Sequence, residues 1–95
     1  MPALALIFSH DDAMKTPTQI SEKLLNEKVM ALLHARASCA DARSVMLELI
    51  DDPEIPYNWR IGHFNPGNGD RYKCKLTLRE IHESLRTDYE MIGYS

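Results

Sequence analysis

Residues 57–92 read YNWRIGHFNPGNGDRYKCKLTLREIHESLRTDYEMI, and how this run divides between strand and helix decides the fold. Two short segments that alternate polar and apolar residues flank the turn formers Asn65-Pro66-Gly67-Asn68-Gly69-Asp70. Pro66 presets φ at the first central position of a type II turn and Gly67 accepts the positive φ of the second, so the cluster reads as a hairpin loop. With Phe64 opposite Arg71, His63 pairs with Tyr72, Ile61 with Cys74 and Trp59 with Leu76, all on one face. The other face then carries Arg60 opposite Lys75 and Gly62 opposite Lys73, together with Phe64 and Arg71. One register therefore sorts residues 57–76 into an apolar face and a basic face.

Beyond Leu76, Thr77-Leu78-Arg79-Glu80 has the form of a capping box, in which Thr and Glu satisfy each other's free backbone donors. Leu78, Ile81, Leu85 and Ile92 recur at helical spacing with Tyr89 beside them, which predicts a helix from Thr77 laid over the apolar side of the hairpin. A single helix from near Asp70 would also align Cys74, Leu78, Ile81 and Leu85. It would crowd Arg71, Lys73 and Lys75 into a first turn where the helix dipole disfavours positive charge, so the hairpin is preferred.

Upstream, Ala3 to Phe8 is apolar on both faces and reads as a covered strand beside the hairpin. Thr16 as N-cap, Pro17 at the first helical position and Gln19 two residues later open a helix expected to run to about Arg36. Its apolar surface of Ile20, Leu24, Leu25, Val29, Leu32 and Leu33 is wide enough to suggest a subunit contact. Ser38 to Asp41 would cap a further helix through Ala42, Val45, Met46 and Leu49, ended before Pro53. The expected fold is an α+β domain over residues 1–95: a small antiparallel sheet, made of the N-terminal strand and the hairpin, packed against about three helices in the order β-α-α-β-β-α.

The chain has 95 residues, 44% hydrophobic and 26% charged, which is ordinary for a soluble globular domain. Its formal net charge of -3 argues against a wholesale nucleic-acid binder, but the charge is uneven. Residues 57–76 hold Arg60, Arg71, Lys73 and Lys75 against Asp70 alone. Cys39 and Cys74 form no CxxC and stand far apart, which fits two reduced thiols in a cytoplasmic protein. The short apolar run at residues 3–8 lacks a basic flank and is too short to span a bilayer, so neither secretion nor membrane insertion is expected.

Catalytic signals are sparse. Cys39 and His34 are not at a same-face helical spacing, and no GxSxG, HExxH or P-loop pattern occurs. His10, Asp11 and Asp12 after the first strand form the best metal-hydrolase candidate, without a second ligand cluster to complete it. The turn at 65–70 would cradle phosphate only if a helix began near Asp70. The most specific feature is the basic face of Arg60, Phe64, Arg71, Lys73 and Lys75, suited to an anionic partner, with a nucleic-acid backbone as one case. The expected function is a cofactor-free, non-enzymatic interaction or regulatory module, self-associating through the Pro17–Arg36 helix. Nucleic-acid binding by the basic face is the alternative.

Overall fold

A computed structural model describes residues 16–92. The order is β1 (Thr18–Ser21), α1 (Glu22–His34), a 3-10 turn (Ala37–Cys39), β2 (Ser44–Leu49), β3 (Trp59–Asn65), α2 (Arg71–Leu85) and β4 (Tyr89–Ile92). β1 pairs in parallel with β4, Thr18 opposite Tyr89 through Ser21 opposite Ile92, while β2 and β3 pair antiparallel. The class is α+β, but two helices and a mixed pair of sheets replace the expected three helices on one antiparallel sheet. The strand expected at Ala3–Phe8 and the cluster His10, Asp11 and Asp12 lie outside the described residues.

The decisive correction falls at residues 71–76, which are the first turns of α2 and not the second strand of a hairpin. Asp70 is the N-cap, its carboxylate accepting from the Lys73 amide at 2.9 Å. Exposed charge opposing a helix dipole costs about 0.3–1 kcal/mol per group. Burying the Cys74, Leu78 and Ile81 side chains in one helical stripe stabilises by roughly 1.5–3 kcal/mol for each large apolar group. The second effect wins, and Thr77 becomes a buried mid-helix residue and not a cap. Tyr72 and Leu76, expected inside, are 69% and 37% exposed.

The same competition moves two other boundaries. Ser21, not Thr16, caps α1, its hydroxyl accepting from the Leu24 amide at 3.2 Å, because residues 18–21 are taken into the pair with β4. Leu25, Val29 and Leu33 then recur every four residues as the fully buried face of α1. The helix expected around Ala42 to Leu49 is β2. Val45 and Leu47 point inward with period two, whereas Met46 and Leu49 are more than half exposed. Met46 stands opposite both Gly62 and His63, a bulge on β3. The Glu48 carboxylate lies across Gly62, where an added Cβ would sit 2.7 Å from its oxygen.

The core gathers Leu25, Val29 and Leu33 of α1, Val45 and Leu47 of β2, Trp59 of β3, Cys74, Leu78 and Ile81 of α2 and Met91 of β4. The two sheets are tied edge to edge by a side chain. The Asn58 carboxamide donates to the Met91 carbonyl at 2.7 Å and accepts from the Met91 amide at 2.9 Å, as a neighbouring strand would. Beside it the Trp59 indole donates to the Tyr89 carbonyl at 3.0 Å.

Cys39 and Cys74 are joined as a disulfide, with Cα atoms 5.6 Å apart. Their pairing corrects the reading of two separate thiols and removes the basis on which a cytoplasmic location was expected. Among the described residues no helix is long and apolar enough to cross a membrane.

Candidate nucleic-acid interface

The turn before α2 fixes where its charges point. Gly67 has φ +61°, the left-handed value that Pro66-Gly67 predicts, and an added Cβ there would fall on the Asp41 carbonyl oxygen. The Gly67 amide donates to the Asn65 side chain at 2.9 Å, the Asn68 amide to the Asp41 carboxylate at 2.7 Å and the Gly69 amide to the Pro66 carbonyl at 2.9 Å. The Asp70 amide donates to the Ser38 carbonyl at 3.2 Å. These four amides are therefore committed inside the chain, and the Asp70 carboxylate covers that of Lys73. Although α2 does begin after Asp70, the amides of residues 67–70 and 73 are already committed and the Asp70 carboxylate sits over the helix start, which disfavours a phosphate there.

The basic face expected on a hairpin is redistributed by the helix. Arg60 remains on β3, but its guanidinium donates to the Glu48 carboxylate at 2.8 Å, so its charge is locally matched. Lys73 turns to the far side of α2 from Arg71 and Lys75, since residues two apart on a helix face different ways. Phe64 is half-buried on β3 with the Arg71 guanidinium 5.4 Å above its ring. Of the five expected binding residues, Phe64, Arg71 and Lys75 are brought together, and Arg60 and Lys73 are not.

Two residues outside the expected set join them. Arg71, Lys75, Arg79 and Arg86 recur at four, four and seven residues, which places them within a roughly 80° arc on the side of α2 that meets β3. An open groove of about 200 Å³ runs between that flank and β3, lined by Ile61, Gly62, Phe64, Lys75, Leu78 and Arg79. Arg86 lies 4.8 Å above the Tyr57 ring at the other end. Between the ends, His82 donates through Nε2 to the Trp59 carbonyl at 2.9 Å and meets the Tyr57 and Trp59 rings edge-on. Among the described residues no acidic side chain ion-pairs with Arg71, Lys75, Arg79 or Arg86; Glu80, on the far side, is taken by Arg36 at 2.9 Å. The spacing of four between Arg71, Lys75 and Arg79 was visible in the sequence, but it carries meaning only once residues 71–76 are helical.

The flank can hold a row of negative charges. The rise between successive cations from Arg71 to Arg79 is about 6 Å, and the row to Arg86 spans about 22 Å. Among the described residues no group of three or more His, Cys, Asp or Glu side chains is placed to hold a metal ion. Comparison with models of protein families, with curated proteins and with solved structures finds no match to this chain.

Proposed function

We propose that the protein is a binding module whose α2 flank of Arg71, Lys75, Arg79 and Arg86 docks the backbone of a single-stranded nucleic acid. The observation that supports it is that row of four cations, without acidic partners among the described residues, on an otherwise acidic chain. A single strand suits the site better than a duplex. The face of α2 next to the basic flank, with Cys74, Thr77, Leu78 and Ile81, is sunk in the core and the flank itself borders β3, so α2 offers a shallow groove and not a projecting helix for a major groove. Phe64 and Tyr57, at the two ends of the row, supply rings against which a base can stack if the arginines above them turn to phosphate.

The test is fluorescence anisotropy of a labelled random-sequence single strand titrated with the protein. Four phosphate contacts imply a loss of roughly 50-fold in affinity between 50 and 200 mM salt. Lys75→Glu with Arg79→Glu should abolish binding, while Lys73→Glu on the far side should change it little. Absence of binding at low salt, or equal sensitivity at Lys73, would sink this reading.

A second reading rests on a different surface. Leu24 and Leu32 on the outer side of α1 are 52% and 45% exposed, and Leu32 lines an apolar groove with Ala31, Leu85 and Tyr89. We infer that this face pairs with a second copy of the chain, consistent with the breadth of the apolar surface of α1. Sedimentation at tens of micromolar should show a dimer that Leu32→Lys converts to monomer. A single-chain mass at that concentration rejects the pairing.

A further inference from the structure

We propose that the Cys39–Cys74 disulfide is a redox-sensitive clamp on the basic flank, so that its reduction by a dithiol weakens the grip of α2 on a polyanion. The inference rests on the flank's being the binding surface. Cys74 is the fourth residue of α2, between Arg71 and Lys75, and its bond ties this turn to the end of the 3-10 turn after α1. That turn of α2 carries Arg71 and Lys73 and no acidic side chain of its own, and only the Asp70 cap carboxylate offsets their charge against the dipole. Beyond that local cap, restraint comes from three links to the rest of the chain: the disulfide, the Asp70 amide on the Ser38 carbonyl and the Asn68 amide on the Asp41 carboxylate.

Reduction removes the covalent restraint and leaves the polar ones. A thiolate of the dithiol attacks one sulfur, the Cys39–Cys74 bond breaks and a mixed disulfide forms. The second thiol of the reductant then displaces it, leaving the reductant oxidised to its cyclic disulfide and both cysteines as thiols. Both cysteines are fully buried, so the attack requires the start of α2 to lift from the 3-10 turn. That is the motion a polyanion seated on Arg71 and Lys75 opposes. Linkage makes the effect reciprocal: if the oxidised form binds more tightly by some factor, the bound polyanion favours the disulfide over the dithiol by the same factor.

The experiment measures single-strand anisotropy on oxidised protein and on protein held in dithiothreitol, with the thiol state read by alkylation and mass, and helix content read by circular dichroism. Reduced protein is expected to stay folded and to bind about 10-fold more weakly, within the usual range of coupling between two sites. In dithiothreitol redox buffers the oligonucleotide should shift the disulfide equilibrium by that same factor. The Cys39→Ala, Cys74→Ala double variant should bind like reduced protein and be indifferent to dithiothreitol. Equal affinity in the two states, or a disulfide equilibrium unmoved by the oligonucleotide, overturns the clamp and leaves the flank reading standing. Global loss of helix on reduction also overturns it, since the bond would then be a fold staple. No binding in either state overturns both.

Discussion

The two ends of α2 are anchored over similar stretches of chain by different chemistry. At its start, Cys74 is bonded to Cys39 across 35 residues, and the preceding turn is pinned by main-chain amides on Ser38 and Asp41. At its far end there is no covalent link. His82 reaches the Trp59 carbonyl, the Trp59 indole reaches the Tyr89 carbonyl and the Asn58 carboxamide holds Met91 across 33 residues. A covalent end keeps its geometry when one polar contact is lost. An end made of directional side-chain bonds around one buried indole depends on each of them, because every lost partner leaves a half-buried polar group unpaired.

That contrast can be broken by substitution, and urea unfolding measures each case. Trp59→Ala should be most damaging, by about 4 kcal/mol, since it empties a fully buried site in the core and frees the Tyr89 carbonyl. A loss below about 1 kcal/mol would mean that β4 holds its place without the indole. Asn58→Ala should cost about 2 kcal/mol by stranding both main-chain groups of Met91. Asp70→Ala at the clamped end should cost only about 1 kcal/mol, the usual effect of losing an N-cap, because the disulfide still holds the turn. If Asp70→Ala proved more harmful than Asn58→Ala, the proposed difference between the ends would be reversed.

Exposed ion pairs contribute little to either end. Arg36–Glu80 and Arg60–Glu48 have side chains about a third or more exposed, where such pairs are worth at most ~1 kcal/mol. They engage Arg60 and Glu80, while Arg71, Lys75, Arg79 and Arg86 make no ion pair among the described residues.

Local chemistry was legible where it needed no partner. The positive φ of Gly67, the strand at Trp59–Asn65, and the apolar stripe of Leu25, Val29 and Leu33 follow from φ preference and from periods of two and 3.6, although the hydrogen-bonded turn centres on Gly67-Asn68 and leads into a helix. The stripe of Cys74, Leu78, Ile81 and Leu85 is legible too, but residues 71–76 satisfy both periodicities, and the dipole penalty that favours a strand there is smaller than the burial that favours the helix. Phe64, Arg71 and Lys75 are singled out by charge and aromatic content, and the structure brings them together. The alignment of Arg79 and Arg86 with them depends on the helix beginning six residues earlier than the capping-box form of Thr77 to Glu80 indicates.

The uneven charge, the left-handed glycine and the stripes open to burial follow from side-chain chemistry a few residues apart. Tertiary structure decided which of two allowed periods prevailed at 44–49 and 71–76, where α1 begins, and which cysteines meet. Parallel pairing of β1 with β4, the Asn58 carboxamide standing in for a strand, and the Cys39–Cys74 bond all join residues about thirty or more apart. Contacts at that separation are fixed by the packing of the whole core, for which short-range periodicity carries no signal.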